Sequence, residues 1–367
     1  MDGVCLKQRV AIVSSTFPGS RPGGVPTYVE GRAARLARRC EVKVFALGQE
    51  DTPVRWGRVE QEPLAPANEF RKRFLIVWWR LVVGLFRFRP TCVEVHNIPV
   101  GLPVFLLWRT IYFFHGPAGM EAQIEGRSRI TVAVRNTLEV AAITLSRRVC
   151  VVSKAFQQLL MDIHPRIVRS RRPLVRYPRL LVPAGPGSFL HLPSAPDVPG
   201  LTLVCVRRLV RRTGVRELVA AFCEAVERGS LSADATLHIV GQGPELEPIR
   251  LFVGSRPGGS SIYLHGRLSN EDRSDLYHRA DWNIVPTQGL EGFGLVVVEA
   301  ALEGCPSLVT DVGALPEVIE KLGGFGRICE RSVQGIADAL GLLRRPTSEE
   351  RRQLSQLAHM QFTVTLP

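Results

Sequence analysis

The strongest constraint in this chain is an alternation that occurs twice. Short apolar runs alternate with turns and helix-forming stretches on both sides of a break at Pro183-Ala-Gly-Pro-Gly187 and Pro193 to Pro199. Before the break the runs are Arg9 to Ser15, Glu41 to Leu47, Thr91 to His96, Thr110 to Gly116 and Arg148 to Ser153. After it they are Leu201 to Val206, Ala235 to Val240, Ser261 to Gly266, Asp281 to Pro286 and Ser307 to Asp311. Runs that are apolar throughout, separated by helices, belong to parallel sheets covered on both faces. The chain therefore reads as α/β, with two doubly wound, Rossmann-like domains. The break places the boundaries at 1–190 and 191–345, with a tail at 346–367. Residues 48–68 read as loop.

Composition narrows the partners. Residues 1–190 carry 29 Lys+Arg against 13 Asp+Glu, a net +16, which leaves −3 for the rest of a chain whose total is +13. Such a charge could serve nucleic acid through phosphate neutralisation. No zinc-finger spacing, RNP-like aromatic run or basic zipper accompanies it, so no nucleic acid is expected. The eight cysteines lie far apart without a C-x-x-C pair, which fits buried thiols in a reducing compartment rather than a disulfide frame or a zinc site. No signal-peptide apolar region opens the chain, and the runs Phe74 to Phe86 and Val100 to Phe114 are too short to span a bilayer. The expected location is cytoplasmic, peripheral at the inner face of a membrane. Residues 71–89, basic at both ends with Trp78 and Trp79 between, form a helix suited to an anionic membrane surface. A domain-packing helix with its arginines in water fits the same pattern.

Several strand ends carry candidate chemistry. The first strand opens into Thr16 to Gly24, where Gly23 and Gly24 precede a helix from Pro26 or Thr27 to about Arg39. Strand, glycine loop and helix bring backbone amides up to a phosphate, although ordinary turns also use paired glycines. His96 and His115 end two further strands, the edge where open α/β sheets place ligands. Ser153 is placed to cap the helix Lys154 to Ile163. Arg166, Arg169, Arg171, Arg172, Arg176 and Arg179 follow without an acid among them, either for phosphates and headgroups or as a solvated basic surface. In the second half, Arg207 to Gly214 is a basic loop, and Gly241 and Gly266 stand at strand ends.

The densest stretch is Glu291-Gly-Phe-Gly-Leu-Val-Val-Val-Glu299. Its glycines let backbone approach a ligand closely, and Leu295 to Leu302 reads as a buried helix. Eight helical residues rise about 12 Å and turn the second carboxylate by roughly 80° relative to the first. Both can then meet one long ligand, while the helix start aims N–H groups and a positive dipole end at an anion. A nucleotide sugar, with hydroxyls at both ends and a diphosphate between, has that form. Two unrelated glutamates on a solvated helix carry the same spacing.

With these pieces placed, the sequence resembles the family 4 glycosyltransferases (GT4) of the GT-B fold, from about Val10 to Asp338. Glu291 to Glu299 followed by Thr310-Asp-Val-Gly-Ala-Leu-Pro-Glu317 carries most of the resemblance, and Gly23-Gly24 and Phe114-His115-Gly116 match weaker landmarks. The resemblance implies two Rossmann-like domains facing each other across a deep cleft, acceptor on the first and donor on the second. It implies retaining transfer of a sugar from a nucleotide diphosphate donor to a hydroxyl acceptor, with no cofactor and no required metal. On it, His115, Glu291 and Arg208 are catalytic. The donor side takes Gly23, Gly24, Arg208, Arg212, Gly241, Gly266, Phe293, Gly294, Leu295 and Glu299, with Glu299 on the ribose and the N–H groups of Phe293, Gly294 and Leu295 offered to the ligand.

Three departures mark this chain. The family's Gly-Arg-Leu loop with a following Lys-Gly reads Arg207-Arg208-Leu209-Val-Arg211-Arg212-Thr213-Gly214, so Thr213 stands at the lysine position and Arg212 is the candidate substitute. Pro183-Ala-Gly185 replaces the common Pro-Asn-Gly, and Phe362 to Pro367 ends the sequence where relatives carry a helix back to the first domain. Competing readings are a GT-B relative that hydrolyses or epimerises a nucleotide sugar, and a non-catalytic nucleotide-sugar-binding scaffold. A dinucleotide oxidoreductase is disfavoured because no G-x-G-x-x-G follows the first strand.

Overall fold

A computed structural model of the chain describes residues 8–15, 23–48, 54–56, 58–66, 69–168, 172–182, 200–256 and 259–365. The glycine loop before Gly23, the break at Pro183 to Pro199, and Arg169 and Arg171 lie outside the described residues. The chain divides into two compact units, Met1–Gly185 with Phe362–Pro367, and Pro186–Gln361.

The first unit opens with β1 (Arg9–Ser14), α1 (Gly24–Ala37) and β2 (Glu41–Gly48). An antiparallel pair, β3 (Val54–Trp56) and β4 (Val59–Pro66), leads to α2 (Phe70–Phe88) and β5 (Cys92–Val95). Short helices α3 (Ile98–Gly101) and α4 (Val104–Leu107) precede β6 (Thr110–Phe114), α5 (Ala118–Ile124) and α6 (Arg129–Leu145). Next come β7 (Arg148–Val151), α7 (Lys154–Ile163), α8 (Pro165–Val168), β8 (Leu174–Val175) and β9 (Leu180–Leu181). Eight strands form one sheet in the order β3-β4-β2-β1-β5-β6-β7-β8. The order turns back at β1, so β1 and β5, paired in parallel, frame the switch point where such sheets bind ligands.

Residues 54–56 and 59–66, expected as loop, are strands. The alternation is hidden in β4 because acids and prolines separate its buried residues Val59, Gln61 and Leu64. Glu60 and Glu62 are held from the neighbouring strand by Lys43, at 3.0 and 2.5 Å. On α2, Val77, Leu81, Leu85 and Phe88 join the sheet core, while Leu75 and Trp79 are 66% and 69% exposed. The helix thus packs on the sheet and also shows water an apolar side. Ser153 caps α7, accepting the Phe156 N–H at 3.1 Å.

The second unit contains β10 (Thr202–Val206), α9 (Val215–Glu227), β11 (Thr236–Val240), α10 (Leu246–Gly254) and β12 (Ile262–Gly266). It continues through α11 (Asn270–Arg279), β13 (Trp282–Val285), α12 (Leu295–Leu302), β14 (Ser307–Thr310) and α13 (Leu315–Lys321). The strand β15 (Gly326–Cys329) and the helices α14 (Val333–Gly341) and α15 (Ser348–Phe362) complete it. Its six strands are all parallel, ordered β12-β11-β10-β13-β14-β15, the doubly wound order with its switch point between β10 and β13. Leu203, Cys205, Phe222 and Leu237 lie in a core on one face, and Val204, Val206, Tyr277 and Ala300 in a core on the other.

The last helix belongs to the second unit almost to its end, after which β16 (Thr363–Val364) pairs in parallel with β9 of the first unit. The seven described cysteines are free thiols. Among the described residues no helix is long and apolar enough to cross a membrane.

Arg351, 3% exposed, ties α15 to the end of α11 by donating to the carbonyls of Ala280, at 2.7 Å, and His278. Replacing it with leucine would leave both carbonyls without that donor. Arg351→Leu should cost about 3 kcal/mol in chemical denaturation, since a hydrogen bond from a charged group is worth roughly 1.5–3 kcal/mol.

Candidate active site

In the second unit the site grows from the carboxyl ends of β10 and β13. The basic loop after β10 is held backbone to backbone: Arg207 N–H donates to Val240 O at 2.9 Å and Leu209 N–H to Gln242 O at 3.0 Å. Gly241 makes that approach possible. It sits at φ 146°, and a Cβ there would lie 1.8 Å from the Arg207 carbonyl oxygen. Its N–H is already taken by Gly266 O at 2.7 Å. Gly241 and Gly266, expected beside a donor, are thus engaged with each other and with the loop.

The two adjacent arginines separate. Side chains along a strand alternate faces, and Arg207 continues the row of Leu203 and Cys205. Its Nη2 donates to Glu291 Oε2 at 2.7 Å and to Thr287 Oγ1 at 2.9 Å, with side-chain exposures of 8% for Arg207 and 14% for Glu291. Arg208, the matched family arginine, is exposed and has no hydrogen-bond or ionic partner for its guanidinium among the described residues. Arg212 Nη1 donates to the Leu290 carbonyl at 2.9 Å, steadying a residue in left-handed backbone at φ 52°. Thr213, at the family's lysine position, is buried with its hydroxyl turned back to the carbonyls of Arg208 and Val210, at 2.8 and 2.6 Å. The threonine closes the loop and cannot stand in for a cation.

Glu291 has both oxygens engaged, since Oε1 accepts the Gly294 N–H at 3.0 Å. Burial alone would raise its pKa; the charge and hydrogen bond of Arg207, with Arg212 and the Gly294 N–H, hold it below the ordinary value. The Gly294 N–H, expected to face the ligand, is spent on this carboxylate. Gly294 caps α12 in left-handed backbone at φ 83°, and Phe293 before it is buried. Leu295 begins the helix, so its N–H points outward from the first turn.

Glu299 differs from Glu291 in being poorly satisfied. Its side chain is 18% exposed, its one ion pair is Arg273 at 3.7 Å, and no hydrogen-bond donor reaches it among the described residues. Burial raises its pKa, and the charge of Arg273 only partly offsets that. A diol would supply the missing donors.

In the first unit Gly23 precedes α1, which begins at Gly24 without a side-chain cap. His115, just beyond β6, is half-buried and 2.9 Å from His96 Nδ1 through its Nε2. Burial and the neighbouring His96 push its pKa well below the usual histidine range, so it is neutral at pH 7. Glu139 on α6 steadies the segment after it, accepting the Ala118 N–H at 2.9 Å and meeting His164 Nε2 at 3.0 Å.

Sequence reasoning named His115 and passed over His96 as a site residue, although both stand at strand ends. It missed Glu94 and Arg32 behind them, and Glu139. The signal for Glu94 was available: a glutamate and a histidine two apart in an apolar strand share one face. A surface hollow lined by Arg9, Val83, Phe86, Arg87 and Arg89 opens at the amino end of β1, the sheet edge opposite His115, and holds none of the expected catalytic or donor-binding residues.

A family profile described as Glycosyltransferase Family 4 matches residues 22–172, and one described as Glycosyl transferases group 1 matches residues 200–344. The chain belongs to the GT4 glycosyltransferases. A solved sucrose-phosphate synthase from Thermosynechococcus elongatus superposes with a TM-score of 0.77 at 17% identity, covering 97% of this chain and 95% of that one, which establishes the GT-B fold. Anabaena HepE in complex with UDP-glucose gives 0.71 at 15% identity, covering 97% and 96%. A GDP-mannose-dependent alpha-(1-6)-phosphatidylinositol monomannoside mannosyltransferase of Mycobacterium tuberculosis is 31% identical over 148 residues, 39% of this chain and 38% of that protein. An N-acetyl-alpha-D-glucosaminyl L-malate synthase of Bacillus anthracis is 34% identical over 139 residues, 37% of this chain and 34% of that protein. The match thus spans well under half the length of these curated relatives.

The Arg207–Glu291 pair predicts a stability effect. With its folded pKa below 4.5, Glu291 stabilises the fold above that pH, and this is lost as the pH falls through the lower value. Arg207→Met should cost about 3 kcal/mol at pH 7, as expected when a buried pair loses one partner. In urea titrations the loss should shrink below pH 4.

Proposed function

We propose that the chain is a retaining glycosyltransferase that moves a sugar from a nucleotide diphosphate sugar to an acceptor hydroxyl. One observation carries the reading: among the described residues, at the ligand edge of the second unit, no protein group pairs with the exposed guanidinium of Arg208 and no protein donor hydrogen-bonds the half-buried carboxylate of Glu299. A nucleoside diphosphate brings an anion for the first and hydroxyls for the second. Relatives whose names include GDP-mannose, and a solved neighbour holding UDP-glucose, agree with such a donor.

In this scheme Glu299 accepts hydrogen bonds from the ribose hydroxyls, and Arg208 meets the diphosphate. Arg212 adds positive charge, and the N–H groups at the start of α12 complete the anion site. As the bond from the anomeric carbon to phosphate oxygen breaks, negative charge gathers on the leaving diphosphate, and the fixed guanidinium charge stabilises it. The acceptor oxygen bonds to the same carbon from the face the diphosphate leaves, and the hydroxyl proton passes to the departing phosphate oxygen. The family resemblance assigns His115 to the sugar and Gly24 to the phosphates, and it assigns Glu291, ionised and held by Arg207, to the transferred sugar. Neutralisation by arginine requires no metal, so turnover should persist in EDTA. The acceptor is a glycolipid, a polysaccharide precursor or a small natural product.

Contact with an anionic membrane is a second element of the reading, supported by the exposed apolar side of α2, where Lys72 lies beside Leu75, Ile76 and Trp79. Replacing Leu75 and Trp79 with serine should abolish pelleting with anionic vesicles at low salt. Pelleting that survives the change would remove α2 from this role.

For the donor site, calorimetry with a panel of nucleoside diphosphates should find one that binds the wild-type protein. Arg208→Ala and Glu299→Ala should each weaken it about 10- to 100-fold, the equivalent of one or two charge-assisted hydrogen bonds. Unchanged affinity in both variants would overturn the site. Mass spectrometry of products with and without acceptor separates transfer from hydrolysis or epimerisation, and binding without turnover across acceptors would favour a scaffold.

A further inference from the structure

Behind His115 the first unit holds a line of side chains that the transfer scheme leaves unused. Arg32 on α1 grips Glu94 on β5 by two hydrogen bonds, Nε to Oε2 at 3.0 Å and Nη2 to Oε1 at 2.5 Å. Glu94 Oε2 stands 3.7 Å from His96 Nε2, and His96 Nδ1 stands 2.9 Å from His115 Nε2. Glu94 is 1% exposed and His96 5%. The His96 ring stacks on Phe113 at 4.4 Å, and Tyr28 meets His115 edge-on at 5.1 Å, so neither imidazole is free to turn.

The charge state of this line follows from Glu94. Burial would raise its pKa, but the contacts with His96 and Arg32 outweigh that and hold it at about 2. A neutral imidazole carries one proton on two nitrogens. In His96 that proton belongs on Nε2, because the opposite tautomer would set a bare lone pair against the Glu94 oxyanion. At 3.7 Å this is an effect of charge rather than a formed hydrogen bond. His96 Nδ1 is then an acceptor only, so the 2.9 Å contact requires the proton of His115 on its Nε2. The remaining nitrogen of His115, Nδ1, has no partner among the described residues and is not among the buried polar atoms.

We propose that Glu94 and Arg32 are positioning residues that act through His96 to lock His115 in the Nε2–H tautomer, so that its bare Nδ1 accepts a hydrogen bond from a hydroxyl of the bound sugar or acceptor. The role in transfer rests on the function proposed above; the tautomer is readable without any turnover. In metal sites the group behind a ligating histidine fixes its ring orientation and tautomer, and its loss costs about 10- to 100-fold in activity; a dependence of the same order is expected for this relay.

The test is long-range proton–nitrogen correlation NMR on nitrogen-15-labelled full-length protein: wild type, Glu94→Gln, and the double variant Arg32→Met with Glu94→Gln. The double variant keeps the core neutral, which guards against reading misfolding as lost positioning. In the wild type, His115 should show a protonated Nε2 and a bare Nδ1, and in both variants a mixture. In a transfer assay kcat should fall about 10- to 100-fold with the donor KM unchanged, and Glu94→Asp should recover part of it. A wild-type His115 protonated on Nδ1, or a tautomer unchanged in both variants, would overturn the relay. A shifted tautomer with unchanged kcat would overturn its part in transfer. The predicted wild-type tautomer without any transfer would count against the proposed function and leave the relay standing.

Discussion

The ion pair between Arg207 and Glu291 decides what the second unit can offer a ligand. It joins the loop after β10 to the loop after β13, and through Gly294 it reaches the first turn of α12. While Arg207 is consumed in this way, its neighbour Arg208 is exposed, with no partner for its guanidinium among the described residues. The same strand geometry that buries one arginine therefore presents the other. Removing two charged groups from water is costly unless each is well matched, and here the carboxylate takes the Arg207 guanidinium and the Gly294 N–H while the guanidinium also donates to the Thr287 hydroxyl. The arrangement sets the path of the chain without any ligand.

Glu299 shows the complementary principle. Where Glu291 is satisfied by protein, Glu299 has a 3.7 Å ion pair and little else. A carboxylate left in this condition is costly in the empty protein and gains when hydroxyl donors are supplied, which is how a binding site differs from a structural salt bridge. The first unit repeats the contrast: Glu94 is saturated by Arg32 and sets the orientation of others, while His115 keeps one nitrogen uncommitted. In each unit an internal ion pair fixes the geometry and an adjacent group remains open.

Much of the fold was legible because parallel strands buried on both faces are nearly continuous apolar runs, and the ten runs read from the sequence are all strands. The failure at β4 has a physical cause, since Pro63 and the Lys43-paired acids break the apolar run without breaking the ladder. Glu291 and Glu299 were legible as a pair, but not the opposite condition of their carboxylates, which depends on Arg207 and Arg273, 84 and 26 residues away. Family likeness drew attention to Arg208 and away from Arg207, which occupies the place of a glycine and so carried no expected role. The fate of Thr213 was likewise invisible, because its hydroxyl is used up by carbonyls within its own turn.

In the proposed sugar transfer the acceptor enters from the face the diphosphate leaves. NMR of the glycoside formed from an α-linked nucleotide sugar reports the outcome through the one-bond carbon–proton coupling at the anomeric centre of the product. Retention gives an α-linked product, with one nucleoside diphosphate released per glycosidic bond formed. A β-linked product, or nucleotide release at the same rate whether or not an acceptor is present, would contradict it.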